Sequence, residues 1–310
     1  MGVAIGIGIM DFPFAAADSF WRWVDQCEDS AIDSIWQTDR IISERSILES
    51  MTTMAALAGR TRRIKFGVNV WSLAFRDPVL LAKQCATVDF LSNGRLLPAF
   101  GIGNPRSPEW KARCLETKGR GRRTDEGLEI IHLLWHEDNV DYDGRYYKLS
   151  GATISPKPVQ KKLPMWIGGM SDAAVRRTAR YGTGWQAGLQ TPDEVATTIR
   201  AIREAVVAHG RSIDDDHYGA GFPFYFGDAE DPAPQQALTN HRERTGQDGH
   251  AYICVGGGEE IVGRIGEYIA AGASKFVLRP IGADDEDLIR QTQLLIEQVL
   301  PVVEARWPRR

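Results

Sequence analysis

The chain has 310 residues, 43% hydrophobic and 25% charged, with a net charge of -4 and a pI near 5.9. That is ordinary globular composition with ample material for a core, and a mildly acidic balance gives no field for nucleic acid. Four scattered cysteines, Cys27, Cys85, Cys114 and Cys254, have neither the pairing of a disulfide frame nor zinc spacing, so they read as reduced thiols in a cytoplasmic protein.

The start, "MGVAIGIGIMDFPF", lacks a basic leader region and meets Asp11 early, so it reads as a strand and not a signal peptide. No stretch is long and apolar enough to span a membrane. From there, short apolar runs alternate with amphipathic ones. Strands are expected at 3–9, 34–39, 64–70, 95–103, 164–169, 184–188, 217–227 and 275–280. Helices are expected around 18–30, 46–60, 78–91, 122–136, 171–181, 192–209, 258–271 and 285–305. Ser171-Asp172 and Thr191-Pro192-Asp193 mark helix starts; Gly94, Gly182, Gly210 and Gly272 mark stops.

Eight strand–helix units predict a parallel sheet with crossover helices, closed as a (β/α)8 TIM barrel in one domain over 1–310. An open doubly wound sheet is the other arrangement. Three stretches break the repeat. Residues 104–121 form an insertion after strand four, and 140–151 reads as a hairpin around Asp143-Gly144. Residues 228–250 read as a mobile polar loop after strand seven. Such insertions wall a site at the C-terminal ends of barrel strands.

"PMWIGGMSDAAVRRTARYGTGWQAG" (164–188) carries the first chemical signal. Gly168 and Gly169 end a strand where Met170 and Ser171 begin a helix. A helix N-terminus offers unpaired N–H groups and a positive dipole end, and glycine lets a phosphate approach. A tight turn with a Ser171 cap explains the pair equally well; the nearby "GTGW" tips the reading toward phosphate. Asp39 and Arg40 fall at the end of strand two and by themselves read as a surface pair or cap. Asn69 in "FGVNVWSLAFRDP" is a poor strand residue and suggests either a bulge or a strand end. Arg279, at the end of strand eight, is placed to hold an anionic substrate group. Trp36, Trp71 and Trp185 serve equally as pocket walls or core. His132 and His136 lack the glutamate of a metalloprotease helix, and no metal site is expected. The incomplete glycine motifs "GIGIMD", "GIGNPR" and "GGGEE" support neither a dinucleotide fold nor a P-loop.

Five segments, "AIDSIWQTDR", "TRRIKFGVNV", "DPVLLAKQCATVDFLSNGRLLPAFGIG", "GRGRRTDEGLEIIHLLW" and "KPVQKKLPMWIGGMSDAAVRRTARYGTGW", resemble the bacterial luciferase-like superfamily of flavin and deazaflavin oxidoreductases. The nearest branch is the coenzyme F420-dependent oxidoreductases. The resemblance implies a TIM barrel, often a homodimer, acting on a small organic substrate. It implies a non-prolyl cis bond at Asn69–Val70 backing the cofactor ring, with Trp71, Gly103 and Asn104 beside the cofactor. It puts the cofactor phosphate on Gly168, Gly169, Met170 and Ser171, and Asp39 toward the ring. Relatives usually carry His where Arg40 stands. A guanidinium is no acid or base near neutrality, so Arg40 facing the ring would stabilise negative charge instead. Trp36 and Arg279 are then the expected substrate contacts. Lys118, Arg120, Arg122 and Arg123 are expected to meet the oligoglutamate tail of F420. Two other readings remain: an FMN-dependent monooxygenase fed by a separate reductase, and a non-catalytic cofactor-binding protein.

Overall fold

Isoleucine alternates with alanine and glycine along the first strand, AIGIGI, and such alternation decides which side chains enter the barrel. A computed structural model describes residues 2–10 and 12–309. Its strands are β1 (Ala4–Ile9), β2 (Ser34–Gln37), β3 (Lys65–Ser72), β4 (Leu96–Gly101), the hairpin β5 (Val140–Asp143) and β6 (Lys148–Ala152), β7 (Trp166–Gly168), β8 (Gly184–Gln186), β9 (Tyr218–Ala220), β10 (Pro223–Phe226), β11 (Cys254–Gly256) and β12 (Lys275–Pro280). The parallel order β1-β2-β3-β4-β7-β8-β9-β12 closes by pairing β12 with β1, giving the expected eight-stranded barrel. The open sheet is excluded. Around it run α1 (Ala17–Glu28), α2 (Ser50–Arg60), α3 (Pro78–Leu91), the short α4 (Pro108–Ala112), α5 (Arg120–His136), α6 (Asp172–Tyr181), α7 (Pro192–Ala208), α8 (Pro232–Thr245), α9 (Gly258–Ala270), α10 (Asp285–Leu294) and α11 (Leu300–Arg306).

The barrel interior is filled by two indoles. Trp36 and Trp166 pack with Ala99 and Val277 in one buried cluster, with Val70 and Leu97 against it. Neighbouring strands make room with glycine. A Cβ on Gly67 would lie 2.7 Å from Trp36 and collide with the Leu97 carbonyl; one on Gly184 would lie 2.5 Å from Trp166. A second and larger core joins the outward strand faces to the helices.

Four expectations need correction. Residues 228–250 are not a bare loop: α8 occupies most of them, started by Pro232 and ended at Gly246 in the left-handed region, φ 74°. An additional strand, β11, pairs with β10. The seventh barrel strand is split, β9 pairing with the start of β12 and β10 with its end. The last helix is interrupted by a wide π turn at Leu295–Val299, before Pro301. The hairpin and the insertion after β4 stand as expected. Among the described residues no helix is long and apolar enough to cross a membrane, and all four cysteines are free.

The packing generates a prediction. Gly67→Ala drives a methyl into both a fixed carbonyl and Trp36, so it should cost about 1–3 kcal/mol in urea unfolding, the usual scale of overpacking. Wild-type stability in that variant would contradict the close approach.

Candidate active site

At the C-terminal end of the barrel, β3 holds one extra residue. Its register steps from Val68↔Pro98 to Trp71↔Phe100, three residues against two, and Asn69–Val70 is a cis bond. The bulge expected from Asn69 is present. Val70 is turned onto the ends of two other strands. A Cβ at Gly101 would lie 2.7 Å from Val70, and one at Gly168 would lie 2.9 Å from it. Gly101 and Gly168 are therefore small first of all because Val70 needs the space.

The bulge is fastened by charge. Asp39 is buried, and both carboxylate oxygens are used: Ser50 Oγ donates to Oδ1 at 2.8 Å, the Ser72 N–H to Oδ2 at 3.0 Å, and Arg76 to both, at 2.5 and 3.4 Å. Arg76 also reaches Glu49 at 3.1 Å and Ser50 at 3.0 Å. Burial alone would lower the Arg76 pKa, yet the Asp39 and Glu49 carboxylates hold it above its ordinary value. Trp71 donates from Nε1 to Ser50 Oγ at 3.0 Å and lies fully buried near Phe100. Asp39 and Trp71, expected beside the cofactor, are both engaged by side chains of the protein itself. The Asp39 side chain is 1% exposed and bound on all sides, and the Trp71 ring faces the helix layer.

Arg40 likewise has partners within the chain. Its Nη1 donates to Ser107 Oγ at 3.1 Å and lies 3.9 Å from Glu109, on the insertion after β4. Burial opposes the Glu109 charge, but hydrogen bonds from Ser107 and the Ile41 N–H, with the Arg40 charge, pull its pKa below the usual range. Arg40 thus ties β2 to α4. Gly103 lies in the left-handed region, φ 75°, and Asn104 closes a local turn by accepting from the Arg106 N–H and, through its carbonyl, from Trp110.

Across the mouth, Gly169 has φ 109°, a region L side chains rarely adopt, and residues 169–172 are exposed. Ser171 caps α6, accepting from the Ala174 N–H at 3.3 Å. Trp185 is fully buried and donates to the Gly169 carbonyl at 2.7 Å, so it supports this turn from outside. Trp36, expected as a substrate contact, is 4% exposed in the packed floor beneath Val70.

Several polar groups near the mouth lack partners. Asn69 Nδ2 and Gln186 Oε1 are buried and unbonded. The side chain of Arg279, half-buried at the end of β12, has no hydrogen bond or ion pair among the described residues; burial pushes its pKa down to about 10, leaving it a cation at neutrality. Gln186, Arg76, Ser50 and Glu109 were missed by the sequence reading, since nothing local marks a polar residue that acts through distant partners. The tail cations separate: Arg123 stacks on Tyr146 at 5.4 Å, Arg120 turns partly inward, and Lys118 and Arg122 stay exposed. At the opposite end of the barrel, exposed Asp214 and Asp216 with His217 are the one group of possible metal ligands among the described residues.

The sequence model of the luciferase-like monooxygenase family matches residues 13–253. Over an alignment 316 positions long the chain is 25% identical to an F420-dependent glucose-6-phosphate dehydrogenase of Amycolatopsis mediterranei, covering 90% of this chain and 92% of that one. In structure it resembles an F420-dependent secondary alcohol dehydrogenase solved with an F420-acetone adduct: TM-score 0.83, 18% identity, 98% and 99% of the two chains covered. It also resembles the monooxygenase RslO1 of Streptomyces bottropensis: TM-score 0.81, 21% identity, 96% and 99% covered.

Asp39→Ala strands Arg76 in a largely buried place and should cost about 3–5 kcal/mol. Because the two groups share one interaction, Asp39→Ala with Arg76→Ala should cost clearly less than the sum of the single changes in a double-mutant cycle. Strict additivity would contradict the clamp.

Proposed function

The chain belongs to the luciferase-like monooxygenase family and is an oxidoreductase; from that premise we propose that it uses coenzyme F420 and acts on an organic substrate bearing an anionic group. The observation that carries the cofactor assignment is the likeness to an F420-dependent dehydrogenase along nine-tenths of the chain. The site residues fit such a group. The Asn69 amide is a buried donor with no protein partner, and the glycine turn at 168–169 leaves the start of α6 open. When bound, F420 carries or accepts a hydride at C5, and the protein's part is binding, orientation and electrostatics.

In this reading Val70 forms the apolar back of the ring site and Asn69 Nδ2 donates to a ring heteroatom. The N–H groups of 169–171 and the Ser171 hydroxyl take the phosphate at the positive end of α6. Gly103 and Asn104 border the cofactor from the insertion. The exposed Lys118 and Arg122 meet the anionic tail. Arg279 orients the substrate by its anionic group. Asp39 and Arg40 act indirectly: Asp39 holds the bulge, and Arg40 holds the insertion that closes the mouth. The protein is proposed to work as a homodimer in the cytoplasm.

Purified apo-protein titrated with F420 and with FMN, followed by cofactor fluorescence, tests the assignment. Tighter binding of F420 is expected; preference for FMN would return the protein to flavin-dependent monooxygenation with a partner reductase. Asn69→Leu sharpens the test. Removing a buried, unbonded amide should leave stability unchanged or raise it, while F420 affinity falls by about tenfold or more for one lost buried hydrogen bond. Equal affinity in wild type and variant would remove Asn69 from the site.

A further inference from the structure

α8 is docked with little of itself. Only Pro234 and His241 of its residues are buried, and its flanks are glycines in the left-handed region, Gly227 at φ 155° and Gly246 at φ 74°. Between it and the barrel mouth lie two cavities of about 440 and 500 Å³ that share Met10, Pro223, Ala237, Asn240 and Ile281. Arg279 of β12 lines one; His241 and Arg244 of α8 line the other.

These three side chains are unusual together. His241 is 3% exposed, lies against the Tyr252 ring at 4.7 Å, and has no hydrogen-bond partner for either ring nitrogen. Buried polar atoms are normally bonded, so the imidazole's two idle nitrogens point to a missing ligand. The side chains of Arg279 and Arg244 have no hydrogen bond or ion pair among the described residues. Arg244 is near enough to lower the pKa of both Arg279 and His241, after burial, while Asp248 acts the other way on His241. Glu243 is the one carboxylate on the cavity wall beside Arg244, and it forms no ion pair with either arginine. Cations brought together without an anion between them are a site awaiting one.

We propose that α8 is a substrate clamp: the anionic group of the substrate bridges Arg279 on the barrel and Arg244 on α8, and a neighbouring hydroxyl or carbonyl pairs with His241. The substrate class is a small organic carboxylate or phosphate ester carrying a second polar group near the charge. This rests on the reading of the barrel mouth as the substrate side, and it adds that the fold closes on the substrate through the helix after the seventh strand. Binding then satisfies groups that the free protein leaves idle, so closure follows from the ligand's greater affinity for the closed arrangement.

The full chain, without cofactor, is titrated with inorganic phosphate and separately with acetate. Binding is followed by calorimetry, and amide hydrogen exchange is followed across 232–245. The expected result is anion binding that slows exchange in α8. Arg279→Met and Arg244→Met should each weaken binding by about tenfold or more, the scale of a lost charge-assisted hydrogen bond, while Arg244→Lys keeps most of it. Slower exchange in α8 with phosphate than with acetate assigns a phosphate ester, and the reverse a carboxylate; exchange at 232–245 distinguishes this site from the phosphate turn at 168–171. Unchanged α8 exchange at saturating anion, or undiminished binding in Arg244→Met, would overturn the clamp. F420 affinity measured on the same samples separates the two readings. A protein that binds no F420 but shows the anion response loses the cofactor assignment and keeps the clamp.

Discussion

The buried pair of Asp39 and Arg76 is the interaction on which the mouth of this barrel depends. Asp39 stands at the end of β2, Ser50 at the start of α2, and Arg76 beyond the end of β3. Through the Ser72 N–H the same carboxylate fixes the backbone just after the bulge. With that end fixed, Val70 can lie only where Gly101 and Gly168 leave room. A buried ion pair is a weak source of net stability, because desolvation offsets much of its attraction. Its effect here is geometric: it selects one course for β3 out of a strand that would otherwise continue flat.

The barrel was legible because its signal is repeated. Eight apolar runs separated by amphipathic stretches admit few topologies, and caps such as Ser171 and Thr191 hold as expected. α8 was hidden by composition: Pro232, Pro234 and a polar run read as loop, yet proline suits a first helical turn. Of the site, the Asn69 bulge and the glycine turn were visible because each breaks a local rule. The partners of Asp39, Arg40 and Trp71 were not, since a residue at a strand end does not reveal whether it meets a ligand or, as Asp39 does, a side chain 37 positions away. Trp36 was equally ambiguous, and only Gly6, Gly8 and Gly67 around it show that it fills the barrel.

Many polar groups in this protein are well served, although Gln26, Gln37, Arg120, Thr124 and Tyr181 also each keep one buried atom without a partner. Arg95 makes its bonds to carbonyls and a hydroxyl around Thr61, and Glu28 gathers the N–H groups of residues 62–64. Four further unserved groups gather near the mouth: Asn69, Gln186, His241 and Arg279. Sequences that satisfy their local rules almost everywhere tend to depart from them where a ligand completes the structure. The first two sit on barrel strands β3 and β8, while His241 belongs to α8 and Arg279 lines the cavity beside that helix; the proposed cofactor side and substrate side follow that division.

The most direct test of this account is a crystal structure of the protein with F420 bound. The account predicts the ring against Val70, the Asn69 amide donating to it, the phosphate on the backbone of residues 169–171, and Arg279 left free for substrate. A cofactor seated under α8 with its phosphate on Arg279, or a ring distant from Asn69, would contradict it.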